Sequence, residues 1–127
     1  MRSATVDAVI IDGSRVVLVK RRFEPYKGFW TTPGGFVEDT ESVEQAVVRE
    51  VLEETGLKVE IVKLVGVYSD PNRDPRKSVT TAFLARALSK DAKGGDDAQE
   101  AKWFELDALP KMAFDHEKII NDARRIL

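Results

Sequence analysis

Hydrophobic and polar positions change period along this chain. Residues 4–11 (ATVDAVII) and 15–22 (RVVLVKRR) are short β-branched runs separated by Asp12-Gly13-Ser14. Two such runs around a glycine-containing turn predict a β-hairpin. Phe29-Trp30-Thr31-Thr32 predicts a short strand. It leads into Pro33-Gly34-Gly35, a predicted turn where backbone can approach a ligand because glycine has no side chain in the way. From about residue 41 to 55 the period becomes helical, with Val47, Val48, Val51 and Leu52 as the apolar stripe. Asp39 or Thr40 is the expected cap, Glu41 and Glu44 suit the positive N-terminal end, and Gly56 fits the C′ position. Residues 59–68 and 78–88 predict two longer strands. The segment between them, 69–77, is too charged and proline-rich to be expected in the interior. Residues 90–97 predict a flexible surface loop, 101–105 a strand, and 107–110 a turn or short helix. Residues 115–127 predict a second amphipathic helix, with Ile119, Ile120, Ala123 and Ile126 facing the core.

The helix at 41–55 also carries chemistry. At ~100° per residue, Glu50, Glu53 and Glu54 occupy i, i+3 and i+4 and project from one patch, away from the apolar stripe. Arg49 lies beside Glu53 at i+4. Three like charges side by side are unfavourable unless a cation neutralises them, and one arginine cannot serve all three. A divalent metal is the natural partner. Oxygen ligands, with no cysteine in the chain and a single histidine, favour Mg²⁺ or Mn²⁺ over Zn²⁺. The carbonyls of the glycine turn are further candidate ligands.

Composition sets the outer bounds. A chain of 127 residues with 43% hydrophobic positions is expected to form one domain with a real core. Having no cysteine is compatible with a reducing compartment, and no apolar run is long enough to cross a bilayer. The expectation is a cytoplasmic protein with no membrane association. A net charge of −2 argues against a partner that is a nucleic-acid polymer. Local charge says more than the total. Residues 38–54 are strongly acidic, whereas Lys20, Arg21, Arg22 and Lys27 form a basic cluster just before them. Metal-bearing acids beside a basic cluster suit an anionic ligand held from both sides. Arg21 or Arg22, with forked guanidinium donors, is the candidate phosphate contact.

Read as one string, the segment runs Gly35, five residues, Glu41, seven residues, Arg49-Glu50, the aliphatic Val51, one residue, Glu53-Glu54, one residue, Gly56 and the aliphatic Leu57. This resembles the Nudix box at every specified position. The resemblance implies an α/β fold, an α/β/α sandwich around a mixed β-sheet, in a single domain spanning residues 1–127. It also implies Mg²⁺-dependent hydrolysis of a nucleoside diphosphate linked to another group X, with Mn²⁺ as a possible substitute. Glu50, Glu53 and Glu54 would be metal ligands, Gly35 would offer its carbonyl, Arg49 would orient a glutamate, and Glu41 would support. For the general base, Glu53 is the first candidate and Glu100 the second, since family members often recruit an acid from that later region.

Residues 69–76 (SDPNRDPR) and 95–119 (GDDAQEAKWFELDALPKMAFDHEKI) look similar to the ADP-ribose pyrophosphatase branch of that family, with Pro71 standing fourteen positions beyond Leu57. That branch implies ADP-ribose as substrate, AMP and ribose 5-phosphate as products, and a homodimer. Under it Pro71, Arg73 and Arg76 are substrate contacts; otherwise the two arginines are solvated loop charges. Tyr26, Phe29 and Trp30 are candidates for stacking on adenine, Trp30 with at least one face in the core. Trp103 and Phe104 alternate across a strand, which puts one in the core and the other nearer the site. His116, at a helix start, is expected to cap or to sit on the surface. Competing readings are a house-cleaning nucleoside triphosphate hydrolase, a dinucleoside polyphosphate hydrolase and a non-catalytic nucleotide sensor.

Overall fold

The computed structural model describes residues 1–89, 91–92 and 100–127. The elements run β1 (Ala4–Asp12), β2 (Arg15–Lys20), β3 (Trp30–Thr31), β4 (Gly34–Phe36), α1 (Val43–Thr55), β5 (Val59–Tyr68), β6 (Val79–Ala87), β7 (Ala101–Glu105) and α2 (His116–Arg125). β1 is the hub. Over Ala4 to Ile10 it pairs in parallel with β6, and on its other edge Thr5, Val6 and Asp7 pair antiparallel with Phe36, Gly35 and Gly34 of β4. Its last two residues turn through Gly13, at φ 61°, into β2. β2 then carries β7 on one side and β3 on the other, and β5 closes the far edge against β6. The sheet is mixed, as expected.

Strand alternation distributes the core to two faces. Val6, Ala8 and Ile10 of β1, Val17 of β2, and Phe83 and Ala85 of β6 pack on Ala46, Val47 and Val51 of α1. Val9, Val16, Leu18, Ala82 and Leu84 face the other way, onto Ile119, Ile120 and Ala123 of α2. One helix per face makes the α/β/α sandwich. Among the described residues no helix is long and apolar enough to cross a membrane.

Several expectations need correction. β4 stands where a turn was expected, because the Gly34-Gly35 backbone extends and bonds to β1. The cap of α1 is Ser42, not Asp39 or Thr40: its hydroxyl accepts from the Gln45 amide at 3.1 Å, and the Gln45 side chain accepts the Ser42 amide at 2.9 Å. That reciprocal pair is a capping box. At the other end Gly56 takes the left-handed conformation, φ 74°, and closes the helix as expected. The apolar stripe is shifted round the helix: Val48 and Leu52 are exposed, and Ala46 and Thr55 are buried in their place. In the segment 69–77, Asp74 is 2% exposed, its charge met by Arg76 and Ser78. Most of the expected 90–97 loop lies outside the described residues.

Candidate active site

The sheet places the acidic helix and the glycine strand in contact. Glu50 points at β4, and a Cβ on Gly35 would lie 2.5 Å from its carboxyl carbon, so only glycine permits the approach. Glu54 reaches the strand one residue earlier, where its Oε1 accepts the Gly34 amide at 2.7 Å. Burial pushes Glu54 up to about 8, although that amide pulls the other way, and burial also raises Glu50. Both shifts have one physical reading. These carboxyls are desolvated with too little positive charge nearby, the condition a hard cation relieves.

Arg49 organises the outer side of the same patch. Its Nε and Nη2 donate to the two oxygens of Glu41 at 3.0 and 2.6 Å, and Nη1 donates to Glu50 at 2.9 Å and to Glu53 at 3.2 Å. Nη2 also donates to the Phe36 carbonyl at 3.2 Å. The fork holds Glu41 at about 2, with help from the Glu38 amide, and Glu41 in turn strengthens the charge on Arg49. One guanidinium thus ties Glu41, Glu50 and Glu53 to β4. Among the described residues no three acidic or histidine side chains are gathered tightly enough to hold a metal as they stand. Arg49 draws Glu50 and Glu53 to itself, while Glu54 faces Gly34. The donor set, all oxygen and under-neutralised at Glu50 and Glu54, nevertheless fits a hard divalent ion.

On the α2 side of the sheet a cavity of about 220 Å³ opens against this patch, and its lining includes Gly34, Gly35 and Glu54. Basic and aromatic side chains also line it. Arg21 donates to the Pro25 carbonyl at 2.6 Å and lies over the Phe114 ring at 5.0 Å; Arg76 approaches the same ring at 4.8 Å and Phe36 at 5.6 Å. Burial and the neighbouring Arg76 both lower the pKa of Arg21. Two guanidiniums on one ring, beside Arg22 and Lys20, make this lining anion-seeking. Burial opposes ionisation of Asp74, yet hydrogen bonds from Arg76 and Ser78 hold it at about 2. The stretch that brings Phe114 and His116 here is stitched to β3: the Trp30 amide bonds to Lys111 and the Ala113 amide to Trp30.

The family model of the NUDIX domain matches residues 1–123. The chain belongs to the NUDIX family. The ADP-ribose pyrophosphatase of Methanocaldococcus jannaschii is 50% identical to it over 124 residues, 97% of this chain and 73% of that protein. Among solved structures, the NUDIX domain of Shewanella oneidensis NrtR, complexed with ADP ribose, superimposes with a TM-score of 0.87 at 32% identity, over 99% of this chain and 88% of that one. An ADP-ribose pyrophosphatase from Streptococcus suis gives 0.85 at 25% identity, over 99% and 92%.

Within this NUDIX chain the residues singled out from sequence fall in three places. Gly35, Arg49, Glu50, Glu53 and Glu54 converge at the α1–β4 contact. Arg21, Arg22, Arg73 and Arg76 all line the cavity. Arg73 is not a solvated charge: its side chain is 5% exposed and grips Asp115 with two bonds, at 2.8 and 2.7 Å. Pro71 is exposed and outside the lining. Glu100 is also outside it, near Lys20 at 3.9 Å and Lys102 at 3.5 Å. Tyr26, Phe29 and Trp30 do not line the cavity. Tyr26 packs edge-on against Phe29 and Phe114, and Trp30 is core. Phe23, Phe36 and Phe114 are the aromatics that do. Trp103 and Phe104 pack on opposite cores, neither at the cavity. His116 neither caps α2 nor lies on the surface. It is buried at the cavity with Asp7 and Thr32. Sequence reasoning missed Asp7, whose one signal was a carboxylate interrupting a β-branched strand.

Proposed function

We propose that this chain is a Mg²⁺-dependent Nudix pyrophosphohydrolase that cleaves ADP-ribose to AMP and ribose 5-phosphate, with Mn²⁺ as a substitute ion. The observation that carries this reading is the bond from the Gly34 amide of β4 to Glu54, which joins an acidic helix face to a cavity lined by arginines. An electrostatic gradient of that kind suits a metal-bridged pyrophosphate. The 50% identity to an ADP-ribose pyrophosphatase favours ADP-ribose within the family.

Glu50, Glu53 and Glu54, with the Gly35 carbonyl, are the groups that would hold the ion. When bound, it neutralises charge developing on the pyrophosphate and lowers the pKa of a nearby water. Arg49 keeps Glu50 and Glu53 in place from behind. Glu53, half exposed and at the edge of the Arg49 cluster, takes the proton from the attacking water; Glu100 is the alternative base. Arg21, Arg22 and Arg76 present donors to the phosphates, and Arg73, locked to Asp115 at the cavity, shapes the substrate side of the loop at 69–77, while Pro71 lies outside the lining. The likeness to the ADP-ribose branch also favours a cytoplasmic homodimer, which light scattering tests.

A substrate panel decides the reading. ADP-ribose, an oxidised deoxynucleoside triphosphate and a dinucleoside polyphosphate are incubated with and without Mg²⁺, and the products are separated by chromatography. Metal-dependent release of AMP from ADP-ribose, faster than cleavage of the others, is expected. Preference for the triphosphate, or binding of ADP-ribose without turnover, would overturn it.

A further inference from the structure

Two side chains that the reaction outlined above leaves unused face each other at the cavity floor. Asp7 and His116 are 8% and 7% exposed, and Asp7 Oδ2 lies 3.6 Å from His116 Nε2, beyond hydrogen-bond reach. The other ring nitrogen fixes the tautomer. The Thr32 backbone amide, which can only donate, lies 3.2 Å from Nδ1, so Nδ1 accepts and the neutral ring carries its proton on Nε2. Burial drives the imidazole pKa down to about 3 and keeps it neutral. Asp7 Oδ1 accepts from Thr32 Oγ1 at 3.1 Å, whereas Oδ2 has no hydrogen-bond donor among the described residues. No sealed side-chain nitrogen or oxygen among those residues lacks a partner, so both free atoms open onto the cavity that they line.

The geometry points to Asp7 and His116 as a sugar-reading subsite that holds the vicinal hydroxyls of a ribose beside the metal-binding end of the cavity. Each hydroxyl both donates and accepts, so one takes the Nε2–H while its neighbour satisfies Asp7 Oδ2, whichever way the carboxyl is protonated. A phosphate would meet a carboxyl here, and a cation would meet an N–H; neither suits the pair. The placement also fits. Asp7 pairs across the sheet with Gly34, whose amide is bonded to Glu54, so a sugar at Asp7 adjoins the phosphates it is esterified to. This inference rests on the proposed pyrophosphohydrolase reading and sharpens it: a 2-deoxyribose leaves buried polar atoms unpaired, which a site built for a hydroxyl rejects strongly.

The experiment has two arms. In the first, wild type, Asp7→Ala and Asp7→Asn are compared on ADP-ribose and on its analogue lacking the adenosine 2′-hydroxyl. In the second, calorimetry of the wild-type protein compares AMP with dAMP and ribose 5-phosphate with 2-deoxyribose 5-phosphate, and requires no turnover. At least about 100-fold preference for the hydroxylated member is expected in one pair. A deficit for dAMP places the adenosine ribose at Asp7, and one for 2-deoxyribose 5-phosphate places the terminal ribose there. Wherever the wild type discriminates between the two ADP-ribose forms, Asp7→Ala should reduce that ratio at least tenfold, with Asp7→Asn retaining more of it. Equal binding within both pairs overturns the subsite, even if ADP-ribose is hydrolysed. Selective binding without hydrolysis overturns the proposed reaction and leaves the subsite standing.

Discussion

Glu50 rests its carboxyl against the Cα of Gly35. A methyl group at that position would lie 2.5 Å from Glu50 Cδ and 2.6 and 2.7 Å from its oxygens. Glycine here serves proximity rather than backbone freedom, since it removes the one atom that would separate a part-buried carboxylate from β4. Gly34 does the same for Asp7 and the Val6 carbonyl.

Gly35→Ala should therefore act on metal binding more than on folding. Glu50 can swing away at modest cost, so circular dichroism is expected to stay native. The Mg²⁺ concentration giving half-maximal activity should rise and turnover fall by about 100-fold, the scale typical of a displaced metal ligand or its support. A variant with unchanged metal dependence would show that the contact does not position a ligand.

The two faces of α1 give a test of equal chemistry in unequal settings. Leu57, just past the helix, is fully buried, whereas Leu52 is 46% exposed. Leu57→Ala should cost about 2–5 kcal/mol and Leu52→Ala no more than about 0.5 kcal/mol, read from urea unfolding at constant slope. A loss at Leu52 as large as that at Leu57 would contradict the outward orientation of Leu52 on the helix.

Much of this arrangement was legible beforehand, and the gaps share a cause. Residues 59–68 and 101–105 have the predicted strand bounds, because alternation and turn residues are local signals. The metal helix was legible because i, i+3, i+4 spacing is local too. β4 was not: its strand character comes from Thr5, Val6 and Asp7, some thirty positions away, while its glycines locally favour a turn. Arg73 was left open between a substrate contact and a solvated charge because its partner, Asp115, stands 42 positions further along the chain. The same holds for His116, where Thr32 and Asp7 convert a helix-start histidine into a cavity residue. Residues whose role depends on one distant partner were misread, while periodicity gave the helix and its acidic patch but not the packed side of its apolar stripe, where Val48 and Leu52 are exposed and Ala46 and Thr55 buried.

The general base separates Glu53 from Glu100. Neither lines the cavity, but Glu53 shares Arg49 with Glu50, whereas Glu100 stands between Lys20 and Lys102. Glu53→Gln is expected to cut kcat by about 100-fold or more while leaving the melting temperature near wild type, and Glu100→Gln by less than about fivefold. Near-normal turnover in Glu53→Gln, with collapse in Glu100→Gln, would reverse the assignment.

Buried titratable groups give the metal-free protein a pH dependence whose sign can be worked out. Burial raises Asp7 from 3.8, and Glu54 from 4.5, to about 8. Between those limits the folded state retains protons that the unfolded chain has released, so both groups make stability fall as pH rises. His116, lowered from 6.5 to about 3, acts oppositely, and its contribution is lost as pH falls below 6.5. The effects partly cancel under acid conditions, but between pH 6.5 and 8 the raised carboxyls, Asp7 and Glu54 foremost, set the slope. In EDTA the melting temperature is accordingly expected to decline across that interval. Mg²⁺ competes with the proton at Glu54, so the stabilisation it brings should be larger at pH 8 than at pH 6.5. Thermal scans at both pH values, with chelator and with saturating Mg²⁺, measure this directly. Asp7→Asn, which removes one of these titrations, should flatten the chelated slope. A melting temperature that climbs from pH 6.5 to 8 in chelator, or a Mg²⁺ shift equal at both, would show that these carboxyls are already ionised in the folded, metal-free protein.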